Sequence, residues 1–373
     1  MRIYLQSLNK YSKLVRNCID TGQQITMSLY VDFNNQYFYF SNATTNGRLK
    51  FKYEGEKPEN IYVDTTTFLN LANSFEYLDI EQDDKKLVFK NGKDIFKPAQ
   101  FIQRFDSVDF DISENVLTLD NHFNSLLKRA ANYLHKEIGS PQNGVFIRDS
   151  KMISTNGREF FEGNLEITTD EEYALPDSLV KILSDYAIEN TQLSQNETSI
   201  MFSSNSELTI SHAKYDTLKL PPVIGTDQWL QMYDHKDYIN FDRDTLIDVV
   251  KFLDPFASTI VNNIVTLSIA DDTMFTVNDK NSIIKKSCIC EDVSDSIKGR
   301  ELKISLASLK LAIDVLPKTK EDKTTPSNVI LQVNLGEDEK AKGSPAMNLK
   351  RQSKEGVDDD RVHIVFCRFK SSS

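Results

Sequence analysis

The sequence predicts an α+β fold in which one structural plan occurs three times along the chain. Two observations carry this prediction. The order strand, helix, strands, helix, strands restarts twice, and apolar residues change from helical to strand spacing at corresponding points of each copy. We place the three α+β domains at residues 1–113, 114–234 and 235–373, each a β-sheet with one face covered by two amphipathic helices.

The first copy is predicted from the N-terminal strand onward. A helix over residues 8–18 has Leu8, Tyr11 and Val15 on one face, and alternation from Ile25 to Phe33 indicates a half-buried strand. The remaining elements are strands at 37–40 and 49–53 around a turn at 45–48, a helix at 65–75 and strands between 78 and 97.

The second and third copies repeat this order. Asp120 is a plausible N-cap for a helix that runs through Leu134, and the Thr-Asn-Gly-Arg turn of residues 45–48 recurs at 155–158. Further helices are expected at 176–187, 243–252 and 304–316. The predicted strands lie at 116–119, 144–147, 151–154, 199–218, 238–241, 264–269, 274–277, 328–335 and 362–369, with a charged loop at 336–360.

The charge distribution indicates where nucleic acid would bind. A net charge of −11 argues against binding over the whole surface. Positive residues nevertheless concentrate on matching helices, which would present a basic lining to phosphates, although a solvated helix face is the alternative for any one helix. The candidate lining residues are Lys10, Lys13, Arg16, Lys128, Arg129, Lys136 and Lys310.

Catalytic and metal-binding motifs are not evident. The five histidines have no metal-ligand spacing, the four cysteines have no disulfide or metal pattern, and there is no phosphate-binding Gly-rich loop or nucleophile motif. No uncharged run is long enough to span a membrane. We therefore expect a soluble cytoplasmic protein with no catalytic residue, metal, cofactor or membrane partner.

Several segments resemble the bacterial-type DNA sliding clamp, the DNA polymerase III beta subunit family. Lys151 to Phe160 is similar to the family's strand that ends in an ATDGHRL-like turn, and Asn143-Gly144 matches just upstream. Leu220-Pro221-Pro222, the end of the last helix at 313–316 and the C-terminal strand at 363–368 also resemble family segments. The three-copy plan extends the resemblance over essentially the whole chain.

This resemblance implies a non-enzymatic processivity factor. It implies a head-to-tail homodimer that forms a ring around double-stranded DNA, and a hydrophobic cleft that receives peptides from the replicative DNA polymerase and the clamp loader. Phe96 and Phe256 align with apolar dimer-interface positions. The cleft would use Thr155, Gly157, Arg158, Phe160, Pro221, Met347, Ile364, Val365 and Phe366.

Departures from the family pattern fall in the cleft. Arg158 stands where the family has His, Glu159 where it has Arg, and Cys367 where Pro is usual. Such divergence favours a phage-encoded member that acts in the host cytoplasm. A clamp-fold binding hub and a structural ring protein, neither of them loaded onto DNA, remain alternatives.

Overall fold

A computed structural model describes residues 1–19, 28–83, 86–98, 110, 116–137, 140–157, 159–165, 167, 169, 171–184, 191–220, 237–260, 263–279, 282–315, 328–333, 346–351 and 361–365. For residues 82, 83, 86, 279, 346–351 and 361–365 only the backbone is described. Within these ranges the predicted order of elements occurs three times, which confirms the α+β class.

The first copy contains three helices and nine strands in its described part. The predicted helix over residues 8–18 is two short helices that meet at Tyr11, whose φ is −104° and ψ is 12°. The elements are β1 (Arg2–Tyr4), α1 (Gln6–Lys10), α2 (Ser12–Asn17), β2 (Ser28–Asp32), β3 (Tyr37–Ser41), β4 (Thr45–Lys50), β5 (Lys52–Glu54), β6 (Ile61–Asp64), α3 (Thr65–Ser74), β7 (Tyr77–Asp83), β8 (Lys86–Asn91) and β9 (Asp94–Phe96).

The second copy follows the same order. Its first helix ends earlier than predicted and continues as one 3₁₀ turn at Ala131–Tyr133. The elements are β10 (Val116–Leu119), α4 (Asn121–Ala130), β11 (Gly144–Arg148), β12 (Lys151–Thr155), β13 (Glu159–Asn164), β14 (Tyr173–Pro176), α5 (Asp177–Ser184), β15 (Thr191–Gln195), β16 (Ser199–Ser204) and β17 (Leu208–Ala213).

The third copy has longer elements. Its helix α6 extends five residues beyond the predicted end at 252 and contains Pro255. The elements are β18 (Asp237–Asp242), α6 (Arg243–Ala257), β19 (Ile264–Ser268), β20 (Asp272–Asp279), β21 (Ser282–Val293), β22 (Glu301–Ser305), α7 (Leu306–Val315), β23 (Asn328–Val333), β24 (Ala346–Arg351) and β25 (Arg361–Val365).

The chain divides into two compact units, and the boundary between them runs through the second copy. One unit is Met1–Ser125 with Ser178–Tyr215, and the other is Leu126–Asp177 with Asp216–Ser373. The predicted domain boundaries near 113 and 234 lie outside the described residues, so the three-domain division stays a prediction.

The first unit holds two sheets. One has the strand order β5-β1-β7-β8-β9, so β9 is an edge strand. The other has the order β10-β15-β16-β17-β4-β3-β2-β6, in which half of the first copy and half of the second share one sheet. The strand that joins the two halves is β4, antiparallel to β17 from Thr45–His212 to Leu49–Leu208.

The second unit repeats this joint. Its twelve-stranded sheet has the order β14-β11-β12-β13-β25-β24-β23-β18-β21-β20-β19-β22. Here β13 of the second copy pairs antiparallel with β25 of the third, from Glu159–Ile364 to Glu162–Arg361. In both joints the third strand after a copy's first helix pairs with the last strand of the next copy.

Acidic N-caps begin a helix in every copy. Asp64, Asp120 and Asp242 accept hydrogen bonds from the third residue beyond each, at 2.7, 2.7 and 2.8 Å. Each cap satisfies an otherwise unpaired helix N–H and contributes about 1 kcal/mol to stability. The sequence prediction of Asp120 as a cap is confirmed.

Two sequence predictions about loops are wrong. Thr45–Arg48 is part of β4, and the turn before it is formed by residues 42–44, where the Asn42 side chain accepts hydrogen bonds from the backbone N–H of Thr44 and Thr45. Relative to the turn, the repeated Thr-Asn-Gly-Arg letters are therefore offset by four residues between the two copies. The predicted loop at 336–360 contains β24, which pairs with β23 and β25.

Candidate functional site

The basic face predicted for the first helix is exposed. Lys10, Lys13 and Arg16 are exposed, while Leu14 and Val15 between them are buried. Arg16 donates to the Asn70 carboxamide at 2.7 Å, a partner that carries no charge.

Lys10 has an acidic partner that sequence reasoning missed. Its ammonium group lies 3.4 Å from Glu207 Oε2, and both side chains are about half exposed. The Tyr11 hydroxyl, the Glu207 carboxylate and the Lys10 ammonium group form one cluster that raises the pKa of Lys10, with Tyr11 the largest cause. An exposed ion pair of this kind is weak, about 0–1 kcal/mol, so Lys10 still carries its charge at the surface.

The second basic group is less uniform than predicted. Lys128 is exposed on α4. Arg129 is half-buried, and its guanidinium group lies 5.9 Å from the centre of the Phe161 ring, which is within cation–π range. Lys136 is exposed but follows the 3₁₀ turn, so the prediction that it lies on the helix is wrong.

Lys310 forms an ion pair with Asp254. The two side chains join α7 to α6, and the hydrogen bond from Lys310 to Asp254 raises the pKa of the ammonium group. The predicted lining residue therefore has an acidic partner on a neighbouring helix, 56 positions away in the sequence.

The predicted cleft residue Phe160 belongs to an apolar cluster in the second unit. Phe146 of β11, Ile153 of β12 and Leu220 form its buried core. Phe160, Ala174 and Leu218 pack against that core and are partly exposed. This cluster offers an apolar surface beside the pairing of β13 with β25.

The turn before Phe160 is held by polar contacts. The Thr155 hydroxyl is fully buried and accepts from the Gly157 N–H at 3.0 Å. Asn156 and Glu159 bind each other twice, side chain to side chain and side chain to backbone, both at 2.9 Å. Thr155 thus shapes the turn and offers no surface to a ligand, unlike its predicted role as a contact.

Gly157 fits this turn for two reasons. Its φ is +87°, and a Cβ there would lie 3.0 Å from Nε2 of His135. The Glu137 backbone N–H donates to His135 Nδ1, so the ring hydrogen is on Nε2, toward Gly157. Sequence reasoning did not single out His135, because its place beside the turn depends on chain folding.

The other cleft residues are described in part or not at all. The backbone of Met347 pairs with Ile364, and Ile364 pairs with Glu159. Val365 pairs with Ala346, and none of these three cleft side chains is described. Arg158, Pro221 and Phe366 lie outside the described residues.

The predicted dimer residues differ in exposure. Phe96 is partly buried, with its ring 5.2 Å from that of Phe75. Phe256 is 39% exposed and lies 5.7 Å from the ring of Phe252, itself 45% exposed. Sequence reasoning missed Phe252.

Two strand edges carry exposed apolar residues that the sequence prediction also missed. Ile95 on the edge strand β9 is 59% exposed, and Ile283 on β21 is 68% exposed. The segment Ser282–Ile289 of β21 pairs only with β20 among the described strands, because β18 takes the later part of β21.

Two further properties concern the described residues. They contain no cluster of three or more His, Cys, Asp or Glu that could hold a metal ion. None of the helices they form is long and apolar enough to cross a membrane.

Comparisons with known proteins extend this picture. No family model and no curated protein matches the sequence. Solved structures do match. The DNA polymerase III beta chain of Streptococcus pneumoniae TIGR4 has 14% identity and a TM-score of 0.78, with 99% of each chain covered.

Two other solved structures agree with the first. The DNA polymerase sliding clamp of Bacillus subtilis has 16% identity and a TM-score of 0.77, with 99% of this chain and 98% of that chain covered. The Helicobacter pylori beta clamp bound to a DNA ligase peptide has 13% identity and a TM-score of 0.74, covering 98% and 99%. The chain therefore has the fold of the DNA polymerase III beta sliding clamps.

Proposed function

We propose that this chain is a DNA polymerase processivity factor, a sliding clamp that encircles duplex DNA and tethers the replicative polymerase. The observation that carries the proposal is structural likeness to sliding clamps over 99% of the chain, together with the repeated joint between successive copies. The role is mechanical, so it needs neither catalytic residues nor a cofactor.

The repeated joint supports the proposal of a closed ring. The first joint uses β4 and β17, and the second uses β13 and β25. In the third copy the third strand after the first helix is β21, and in the first copy the last strand is β9. Neither takes part in such a joint among the described strands. Pairing β9 of one chain with the free edge of β21 in a second chain would make a third joint of this kind, and two such joints would close a head-to-tail homodimer.

The exposed apolar residues support this choice of edges. Ile95 lies on β9, Ile283 lies on β21, and Phe256 lies on α6 of the same unit as β21. Unpaired strand edges with apolar side chains attract other strands, so a soluble protein has to cover them. A second copy of the chain would cover both.

Duplex DNA is the proposed occupant of the ring. Lys13, Arg16 and Lys128 are exposed on helices at corresponding positions of two copies, in a protein of net charge −11. Contacts of lysine and arginine with phosphates do not read sequence, which suits a ring that must slide.

The apolar cluster around Phe160 is the proposed peptide cleft. A short peptide loses conformational entropy when it binds, so apolar burial has to supply most of its affinity. We assign the replicative polymerase and the clamp loader as its peptide donors. The Helicobacter pylori clamp, similar in fold, is bound to a DNA ligase peptide.

The source and compartment complete the proposal. No family model matches the sequence, and its identity to the two solved clamps of Bacillus subtilis and Helicobacter pylori is 16% and 13%. Both findings agree with a divergent, phage-encoded protein that acts in the host cytoplasm. A clamp-fold binding hub is the second candidate, favoured by the ion pairs at Lys10 and Lys310, which reduce the positive charge available to DNA.

Retention on DNA tests the proposal and separates it from the hub. The clamp is incubated with closed circular plasmid and with the same plasmid linearised, and retention is followed by gel filtration. We expect retention on circles and release from linear ends. Replacing Lys10, Lys13, Lys128 and Arg129 with Glu should abolish retention.

A matched variant controls for the loss of four positive charges. It replaces exposed lysines outside the predicted lining, namely Lys50, Lys52, Lys57 and Lys303, with Glu. Retention by this control and loss by the lining variant supports the clamp. Equal retention by both variants contradicts the proposed lining.

A further inference from the structure

The helical segment that begins each copy buries the same three positions. They are spaced three and four residues apart, which places them on one helical face, and all are fully buried. These residues are Leu8, Tyr11 and Val15 in the first copy, Phe123, Leu126 and Ala130 in the second, and Leu246, Val249 and Leu253 in the third. The shared burial pattern fixes which exposed residues correspond between the copies.

One exposed lysine recurs in this register. Five residues after the first buried position stand Lys13, Lys128 and Lys251, and all three side chains are exposed. Lys251 was not among the predicted lining residues, because α6 holds more aspartate than lysine. Lys251 forms no ion pair with a described residue, in contrast to Lys310.

The positions on either side of this lysine differ in charge between the copies. Where the first copy has Lys10 and Arg16, the third has Asp248 and Asp254. Lys10, Arg16 and Asp248 are exposed, and Asp254 is partly exposed. A face that carries three positive residues in the first copy therefore carries one lysine between two aspartates in the third.

The two aspartates differ in their surroundings. Asp254 has a positive partner in Lys310, whereas Asp248 forms no ion pair with a described residue. A phosphate that approaches Lys251 meets the negative charge of Asp248 one helical turn away on the same face. Two like charges about 7 Å apart in water repel enough to change an affinity about threefold, and salt screens this effect.

We propose that Asp248 weakens the hold of the ring on duplex DNA. It places a negative charge where the first copy has Lys10, and it leaves Lys251 as the residue of α6 that contacts phosphate. Duplex DNA is then held unevenly, more strongly by the first copy than by the third. This inference rests on the proposed function, because it requires DNA beside these helices.

The test is fluorescence anisotropy with a labelled DNA duplex at a series of salt concentrations. Asp248→Lys gives the third copy the residue type of the first. It should make the slope of log affinity against log salt concentration steeper by about 0.9, the value for one added phosphate contact. Asp248→Asn removes the charge alone, so it should raise the affinity about threefold at low salt and by less as salt is added.

The contact made by Lys251 is tested in the same assay. Lys251→Ala should make the slope shallower by about 0.9. Lys251→Arg keeps the charge and should retain the wild-type slope. A wild-type slope in Lys251→Ala would remove Lys251 from the DNA contacts.

A matched variant controls for net charge. Asp216→Lys makes the same change in charge at an exposed residue of the same compact unit, outside the helices. A steeper slope in Asp248→Lys with a wild-type slope in Asp216→Lys supports the proposal. Equal slopes in these two variants, or an unchanged affinity in Asp248→Asn, overturn it.

Failure of this inference is distinguishable from failure of the proposed function. If the wild-type protein does not bind the duplex at any salt concentration, the proposed function fails and this inference fails with it. If the wild-type protein binds and the Asp248 variants bind equally well, the inference alone fails.

Discussion

Removing exposed positive charge from the predicted lining should change how salt affects DNA binding. Lys13 and Arg16 on α2 and Lys128 on α4 are exposed. The perturbation is the triple variant in which these three residues become Ala. Lys310→Ala is the comparison variant, because Asp254 competes with phosphate for the ammonium group of that lysine.

The expected magnitude follows from counterion release. Each phosphate contact contributes about −0.9 to the slope of log affinity against log salt concentration, so three contacts contribute about −2.7 per chain. Between about 50 and 150 mM salt this term alone lowers the affinity about 20-fold. The triple variant should lack that part of the salt dependence, whereas Lys310→Ala should keep nearly all of it.

The assay is fluorescence anisotropy with a labelled duplex at a series of salt concentrations. Slopes are compared between wild type, the triple variant and Lys310→Ala. A triple variant with the wild-type slope would refute the assignment of these residues to phosphate contacts. A slope reduced as much by Lys310→Ala would refute the role given to Asp254.

Three other predictions concern the turn, the cluster and the thiols. Gly157→Ala should lower the free energy of unfolding by more than Gly92→Ala. Both glycines have a positive φ, which costs an alanine about 1–2 kcal/mol, but of the two only Gly157 has a neighbour that a Cβ would meet. Urea denaturation of the two variants checks this, and equal losses of stability would contradict the crowding argument. Phe160→Ala should weaken peptide binding by at least about tenfold, measured by calorimetry with a polymerase peptide, and unchanged affinity contradicts the cleft. Burial raises the pKa of Cys18 and of Cys288 to about 12 each, so both thiols stay protonated at pH 8. Both should therefore resist alkylation by iodoacetamide until the protein is unfolded. Peptide mass mapping measures the alkylation, and rapid alkylation of the native protein would contradict the burial of these thiols.

Local signals in the sequence predicted much of the fold. Asp120 is an N-cap because its side chain and the N–H three residues later are close in the chain, so the spacing alone indicates the contact. The strand–helix order was likewise visible, since alternating and helical apolar spacing arise within each element.

The ends and turns of elements were harder to predict. Thr45–Arg48 and Thr155–Arg158 have the same sequence. The first tetrapeptide lies inside a strand, whereas a strand begins directly after the second. Which residues turn is decided by pairing: Thr45 lies opposite His212 of the next copy, which keeps Thr45–Lys50 in a strand. A repeated tetrapeptide cannot report that partner.

Contacts between distant residues limited the site prediction most. The charge of Lys10 was predicted, but its partner Glu207 is 197 positions away, and Lys310 finds Asp254 on another helix. Thr155 was assigned to the cleft from a motif, whereas in the fold it is buried and accepts a hydrogen bond from the Gly157 N–H. The exposed edges at Ile95 and Ile283 became evident only from strand pairing.

The central claim is that two chains close a ring through β9 and the free edge of β21. Native mass spectrometry of the purified protein tests it most directly, with Ile95→Lys as the edge variant and Lys93→Ala as a nearby control. We predict a species at twice 42.7 kDa for wild type and control, and monomer for Ile95→Lys. A trimer would contradict closure of two three-copy chains into one ring. A wild-type chain that stays monomeric would contradict it as well.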